Sequence, residues 1–513
     1  MDWDTLLSYD WSIMAPEFTI FITAVVLSLM DLFTGRHFNR RLLAWWGLAG
    51  VAIAFLFCLT ELGTPITTIL AGTYRFDSFA LAFKMLMLIG AGFVLLMSAH
   101  YDQKGEIFYR GEFYYLMLSA LLGAMMMASS ADMITLFVSL ELLSLSSYIL
   151  TGLRKRDLAS NEAAFKYLVN GGIATAIILF GMSYIYGFAG TTNLYAISEV
   201  FTSHVPSTSA LLFSNRFLIV FAMILVFVGL SFKLATVPFH MWAPDVYQGS
   251  PTPVTAFLSV VSKIAGFAML LRFFFIGVAR APGIHISPQT GPEFAFVSIE
   301  PYISVLAVLA MIIGNTAALK QQNIKRLFAY SSIAQAGYVL VPFIALSKLS
   351  LANVWFYLMA YLFMNLGAFA VIQVVTEKEG SEDLESFSGL YRRAPWAAVS
   401  MGVFLVSLAG IPVTAGFIGK FNIFLSALVT NHYWLASIMI GTTVISYFYY
   451  FGIMGKMFLR PALHSGKLSF PAGAAIVIGI GVIGTLGFGI FPDAALGFLH
   501  NHFQLNDFFQ ANQ

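Results

Sequence analysis

Six basic residues, Lys84, Lys166, Lys233, Lys263, Arg272 and Lys420, lie inside long apolar runs, and among the acids only Glu141 lies near the middle of one. A Lys, Arg or Asp at the centre of a membrane helix costs about 2.5–3.5 kcal/mol on insertion scales, so such residues are rare and tend to be functional. Their shared chemistry is proton exchange. An ammonium taken out of water gives up its proton more readily, and a nearby carboxylate reverses that, so a buried Lys/Glu set can toggle between protonation states. Glu141, in DMITLFVSLELLSLSSYILTGL, is about nine residues from either end of its run and reaches neither interface. Ser144, Leu145 and Tyr148 share its helix face. Lys263, in TAFLSVVSKIAGFAMLL, is also close to a midpoint. Lys166 and Arg272 lie nearer helix ends, where long side chains are expected to snorkel to the headgroups. Lys84, about a third of the way into its run, has no assigned role.

Lys233 and Lys420 carry a second signal. Lys233 lies in LSFKLATVPFHMWAPDVYQGSPTPVTAF, followed by Pro238, His240, Pro244, Pro251 and Pro253. Lys420 ends VSLAGIPVTAGFIGK, where Gly410, Pro412, Gly416 and Gly419 loosen the helix. Proline removes a backbone donor and breaks the helical ladder. Irregular backbone at membrane depth survives only where it is buried in protein or lines a wet cavity, and discontinuous helices at an ion site are a recurring transporter device. The plainer reading of any one lysine is an ammonium held by backbone carbonyls. Three lysines and a glutamate, two of them beside helix breaks, favour a relay. His240 reads as a relay or hydrogen-bonding residue, with a plain structural role equally open. Haem ligation would need facing axial partners.

The elements that must position these groups are membrane helices. The 513 residues are 59% hydrophobic and only 10% charged, with a mean hydropathy of +0.82. Soluble proteins carry roughly 25% charged residues, so a water-soluble fold is excluded. Continuous apolar runs of about 20 residues indicate helices rather than barrel strands. Fourteen are expected, over 12–33, 41–61, 77–98, 112–130, 132–152, 163–187, 216–238, 252–278, 301–319, 326–346, 352–375, 397–428, 433–455 and 471–491; they are numbered as spans 1 to 14. No strands are apparent. Broken spans 7 and 12 are five apart, and an odd offset means that equivalent spans cross in opposite directions. Two inverted five-helix repeats, spans 4–8 and 9–13, would give that. The expectation is one integral membrane domain over 1–513: three N-terminal spans (1–111), a first repeat (112–278), a second, inverted repeat (301–455), and a final span with a short tail (471–513).

Loop lysines and arginines number 17 on one side of the membrane and 4 on the other. The positive-inside rule then places both termini on the outer side. Asp2, Asp4 and Asp10 without a basic leader suggest that the first span is retained. The acidic connection 376–396 reads as an amphipathic surface segment. A net charge of +2 without a large basic cluster argues against a nucleic-acid partner. The single cysteine, Cys58, can neither form an internal disulfide nor supply the four thiolates of an iron–sulfur cluster. The chain is therefore expected to hold no cofactor and no metal.

Four stretches closely resemble one family. LELLSLSSYILTGLRKRDLASNEAAFKYLVNGG is similar to its fifth and sixth spans. GLSFKLATVPFHMWAPDVYQGSPTPVTAFLSVVSK is similar to its seventh and eighth, NTAALKQQNIKRLFAYSSIAQAGY to its ninth-to-tenth connection, and LAGIPVTAGFIGKF to its broken twelfth. The family is the subunit-N group of proton-pumping NADH:quinone oxidoreductase, respiratory complex I, which includes subunit 2 of the chloroplast NAD(P)H dehydrogenase. The resemblance implies a fourteen-helix antiporter-like fold with inverted repeats. It also implies a proton-translocating role in a membrane arm whose partner subunits carry flavin, iron–sulfur clusters and quinone, with M- and K-type subunits as neighbours. It places Glu141, Lys233, Lys263, Lys420 and His240 on the family's relay positions. Lysine at 420 counts against subunit M, and a tail of only about twenty residues against subunit L. The competing readings are a subunit of an Mrp-type Na+/H+ antiporter and a purely structural scaffold. A bacterial inner membrane is the expected location. Glu141 and Lys233 are expected to form a charge pair.

Overall fold

The computed structural model describes residues 3–34, 38–101, 110–203, 209–276, 293–345, 350–462 and 466–503. Thirteen helices are long and apolar enough to cross a membrane: Trp11–Phe33, Arg41–Thr60, Ser78–Ser98, Gly111–Ser129, Met133–Thr151, Leu158–Ala189, Phe217–Leu234, Thr252–Ile276, Ser298–Ala318, Ile324–Ala345, Ser350–Glu379, Tyr433–Leu459 and Ala472–Ile490. The remaining span, the twelfth, is two half-helices, Pro395–Ala409 and Ala415–Val429. All fourteen expected spans are therefore helical. Of the charges counted for orientation, Arg36, Lys104, Arg280 and Lys348 lie outside the described residues.

Helix starts follow local chemistry. Asp77 caps span 3 by accepting from Ala80 N at 2.8 Å, and Asp132 caps span 5 by accepting from Ile134 N at 2.8 Å. These side chains satisfy amide donors that have no partner within the first turn. Span 8 is buried along its whole described length, Thr252–Ile276, and spans 3, 10 and 11 are buried on nearly every face. They form the centre of the molecule. Spans 1, 2, 6, 13 and 14 surround it and present exposed Leu, Ile, Phe and Val outward. With no apolar driving force between lipid and helix, such faces are stable only in a bilayer or against another apolar chain.

The two repeats are visible in matching joints. Ahead of span 5, Asp132 bridges Asn193 beyond span 6; ahead of span 10, Asn323 bridges Asp383 beyond span 11. Met133 N donates to Thr192 O at 2.9 Å, and Ile324 N to Glu382 O at 2.9 Å. The joints recur five spans apart and so lie at opposite ends of the bundle. The same recurrence appears where spans 4 and 9 touch spans 5 and 10. A Cβ at Gly123 would lie 2.6 Å from Leu143 N, and one at Gly314 would lie 2.6 Å from Ala334 N. Only glycine allows these backbones so close. Gly123→Val is therefore expected to cost about 1–3 kcal/mol by overpacking and to lower the amount of membrane-inserted subunit on immunoblots. Gly172→Val, where a Cβ meets nothing within 4 Å, should leave that amount unchanged.

Several expectations need correction. Two short strands exist: β1 (Thr67–Ile69) and β2 (Tyr74–Phe76) form an antiparallel hairpin with Thr67 opposite Phe76. Three-residue strands give no alternation long enough to read. Ala131 N donates to Thr73 O at 2.9 Å, fixing the hairpin to the joint between spans 4 and 5. Arg272 does not snorkel. It is fully buried and bidentate on Asp77, with Nη1 to Oδ2 at 2.5 Å and Nη2 to Oδ1 at 2.9 Å, and it donates to Ala128 O through Nε at 3.1 Å. Arg75, counted as a loop charge, is also fully buried, 3.2 Å from Asp77 Oδ2. The segment 376–396 is amphipathic, with Lys378, Asp383, Glu385 and Arg392 exposed. Span 11 continues to Glu379, Leu384 and Phe387 are buried, and Glu382 reaches Lys325 at 2.5 Å. Lys456 hydrogen-bonds Glu385 at 2.5 Å and holds its carboxyl below the usual carboxylate range.

Candidate proton-transfer site

Span 7 runs to Leu234, then breaks over Ala235–Met241 and resumes as the half-helix Trp242–Gly249. Ala235 adopts a left-handed φ of 57°, and the Val237–Pro238 peptide is cis. The start of the break, Ala235–Val237, is buried, whereas Pro238 and Met241 are exposed, and backbone groups freed there find partners. Trp242 Nε1 donates to Phe232 O at 2.9 Å, and Thr236 N to Ser231 O at 2.9 Å. The far end of the half-helix exposes carbonyls, and cations meet them. Arg154 donates to Gly249 O at 2.9 Å and to Ser250 O at 3.1 Å, and Lys325 to Ser250 O at 3.0 Å. A helix C-terminus attracts positive charge because its last carbonyls are unpaired and its dipole is negative there. Lys166, expected near a headgroup, is partly exposed and pairs with Glu162 and with Asp245 on the half-helix, both at 2.6 Å.

Lys233 is 4% exposed and sits in the last turn before the break. Its ammonium donates to Ser144 Oγ on span 5 at 3.2 Å. The expected direct pair with Glu141 is not made: among the described residues, no ion pair within 4.0 Å joins the two. Ser144, the hydroxyl that Lys233 does meet, is one turn on from Glu141, and Glu141 Oε1 is buried without a hydrogen-bond partner. The Glu141 side chain is half-buried, and Leu145 on the same helix is exposed. His240 lies within the break, with Nδ1 buried and unpartnered. No hydrogen bond or ion pair among the described residues joins it to a lysine.

Lys263, on fully buried span 8, is 4% exposed and donates to Ser332 O on span 10 at 2.5 Å. A Cβ at Gly266, one turn along, would lie 3.5 Å from the Lys233 stem, so spans 7 and 8 touch beside both lysines. Lys420, 5% exposed, lies in the second turn of the second half of span 12 and reaches back to the end of the first half. It donates to Leu408 O at 2.8 Å and Ala409 O at 3.3 Å. Gly410, with φ +83°, and Val413, with φ +75°, make that reversal. The ammonium also stands 4.8 Å from the centre of the Tyr338 ring, a cation–π contact.

Between Lys263 and Lys420 lies a polar lattice that the sequence reading missed. Tyr361 donates to Ser332 Oγ at 3.0 Å. Ser331 Oγ and the Tyr450 hydroxyl are 2.6 Å apart. Gln335 Nε2 reaches Tyr450 at 3.4 Å and Leu408 O at 3.3 Å, and Tyr357 donates to Gln335 Oε1. Leu408 O is the carbonyl that Lys420 binds. Beyond it, Asn315 Nδ2 donates to the Tyr338 hydroxyl at 3.1 Å, and Asn315 Oδ1 accepts from Tyr449 at 2.9 Å. The signal was present as polar stripes at helical spacing within apolar spans: Ser331, Gln335 and Tyr338 on span 10, and Tyr357, Tyr361 and Asn365 on span 11. Among the described residues, no cluster of three His, Cys, Asp or Glu could hold a metal ion.

Comparison with known proteins agrees with this architecture. The model of the NADH:quinone oxidoreductase/Mrp antiporter transmembrane family matches residues 130–446. A relative from Anoxybacillus flavithermus, NADH-quinone oxidoreductase subunit N, is 54% identical over 99% of this chain and 100% of its own. A chain of respiratory complex I from Thermus thermophilus superposes with a TM-score of 0.77 at 31% identity, covering 94% of this chain and 99% of that one. A chain of the Mrp complex from Dietzia sp. superposes with a TM-score of 0.76 at 19% identity over 97% of this chain and 99% of that one, a likeness of fold alone. With broken spans 7 and 12, inverted repeats and a relative this similar along its whole length, the chain belongs to the subunit N group of NADH-quinone oxidoreductase, within the NADH:quinone oxidoreductase/Mrp antiporter membrane family.

Proposed function

We propose that this chain moves protons through Glu141, Lys233, Lys263 and Lys420 as a membrane subunit of the enzyme complex NADH:quinone oxidoreductase. The observation that carries the reading is a pair of polar contacts from adjacent residues of span 10: Ser332 O holds Lys263, and Ser331 leads through Tyr450 and Gln335 to the carbonyl that holds Lys420. Protons enter from the cytoplasmic side, pass from the first repeat to Lys263, and leave through the second repeat. Glu141 tunes Lys233 across Ser144, and His240 serves the break as a hydrogen-bonding or relay group. Moving each charge outward against the membrane potential costs about 2.3 kcal/mol per 100 mV. Quinone reduction elsewhere in the complex supplies that energy, with flavin, iron–sulfur clusters and quinone in partner subunits. The division of the chain into 1–111, 112–278, 301–455 and 471–513, M- and K-type neighbours, a bacterial inner membrane and termini on its outer side belong to the same reading. The Mrp antiporter reading is supported less, by the shared family model and the shared fold.

Tyr450→Phe tests the lattice. The substitution removes one oxygen and keeps the ring, so the complex should assemble normally. Proton pumping by the purified complex in vesicles should fall several-fold, because the hydroxyl shared by Ser331 and Gln335 is gone. Unchanged pumping would take the link between Lys263 and Lys420 out of the mechanism.

A further inference from the structure

The three spans ahead of the first repeat, outside the residues matched by the family model, hold a buried cluster that the relay does not use. Glu17 stands in the first turn of span 1, Glu61 directly after span 2, Tyr74 on β2 and Lys84 on span 3. Lys84 Nζ is 2.6 Å from Glu17 Oε1 and donates to the Tyr74 hydroxyl at 2.8 Å; that hydroxyl is 3.1 Å from Glu17 Oε1. All three side chains are buried, and together they are neutral. Glu61 is surplus to them. It is 8% exposed, and both carboxylate oxygens are buried without a hydrogen-bond partner among the described residues, as is Glu17 Oε2. The charged groups facing Glu61 are Lys84, already engaged by Glu17, and Glu17 itself. Arg75, next to Tyr74, is turned to Asp77. Cys58, one turn earlier on span 2, is a buried thiol.

An ionised Glu61 would leave one uncompensated negative charge in this pocket of two carboxylates and one ammonium. Burying such a charge is so costly that the group takes a proton instead. The neutral acid also gains a donor, which an unpartnered carboxylate oxygen can accept. We propose that Glu61 is a proton-binding site, with Glu17, Lys84 and Tyr74 as its fixed counter-charge, so that the N-terminal three-span unit holds one exchangeable proton of its own. The site stands independently of the Glu141–Lys420 path, and its test succeeds or fails without reference to pumping.

The test uses the purified complex. The infrared spectrum of the wild type minus that of Glu61→Gln should show the C=O stretch of a protonated carboxyl. That band should titrate away at alkaline pH and be indifferent to sodium ions at constant pH. A difference spectrum showing only carboxylate bands would overturn the proposal, as would a protonated band that sodium removes, which would make this a cation site. Glutamine mimics the neutral acid, so the variant should assemble. If it does not, wild-type membranes treated with dicyclohexylcarbodiimide decide. This reagent attacks protonated carboxyls in apolar surroundings. Mass spectrometry should then find the adduct on Glu61, with a yield falling about tenfold for each pH unit above the midpoint. An unmodified Glu61 at mildly acidic pH defeats the proposal.

Discussion

Replacing Lys233 by alanine is expected to lower proton pumping by at least about a hundredfold, the low end of what a placed proton donor contributes, while the complex still assembles. Lys233 is a 4% exposed ammonium whose polar contact is the Ser144 hydroxyl at 3.2 Å. Proton transfer needs donor and acceptor within hydrogen-bond reach or one water apart. Truncation to a methyl group opens a gap of a whole side chain between Ser144 on span 5 and the Gly266 face of span 8. Assembly should persist because no tight ion pair is broken, and replacing a buried charge by an apolar group is often neutral for stability. Lys233→Arg separates charge from proton exchange. A guanidinium keeps the positive charge but does not release its proton. It should therefore pump as poorly as the alanine variant. Full pumping by the arginine variant would reduce Lys233 to a structural cation. Glu141→Ala should give the same loss through Ser144, measured as pumping and quinone reduction falling together.

The second large effect lies away from the path. Asp77→Ala is expected to prevent accumulation of the folded chain. Asp77 is fully buried, accepts two hydrogen bonds from Arg272 and one from Arg75, and caps span 3 through Ala80 N. Removing it takes this carboxylate away from two buried guanidinium groups. Breaking a buried pair by deleting one partner costs about 3–5 kcal/mol, against a typical stability of about 5–15 kcal/mol. Arg272→Met should cost less, because Asp77 keeps Arg75 at 3.2 Å. Thermal unfolding of the detergent-solubilised complex, with immunoblots of membranes, would rank the two. An Asp77→Ala chain as stable as wild type would show that the cluster contributes nothing to the fold. The contrast with Lys233 distinguishes two uses of buried charge: a saturated cluster that fixes a joint, and a sparsely bonded ammonium free to change protonation.

The sequence by itself determined the fourteen spans, the breaks at Pro238 and Pro412, and the isolation of Glu141, Lys233, Lys263 and Lys420 within apolar runs. Each is a local property. Hydropathy sums over about 20 neighbouring residues, a proline breaks its own turn, and a charge is conspicuous against its own flanks. Partners are not local. Arg272 and Asp77 are 195 positions apart, and Ser331 and Tyr450 are 119 apart. Only the packing of spans decided that Arg272 would be sealed inside rather than reach a headgroup, and that Ser144 rather than Glu141 would meet Lys233. The tyrosine lattice was hidden for a related reason. Tyrosine is apolar by composition, and its hydroxyl acquires a role only when another helix brings an acceptor to it. Glu17 and Glu61 lie at span ends in the sequence, and form a buried cluster only because spans 1, 2 and 3 close around Lys84.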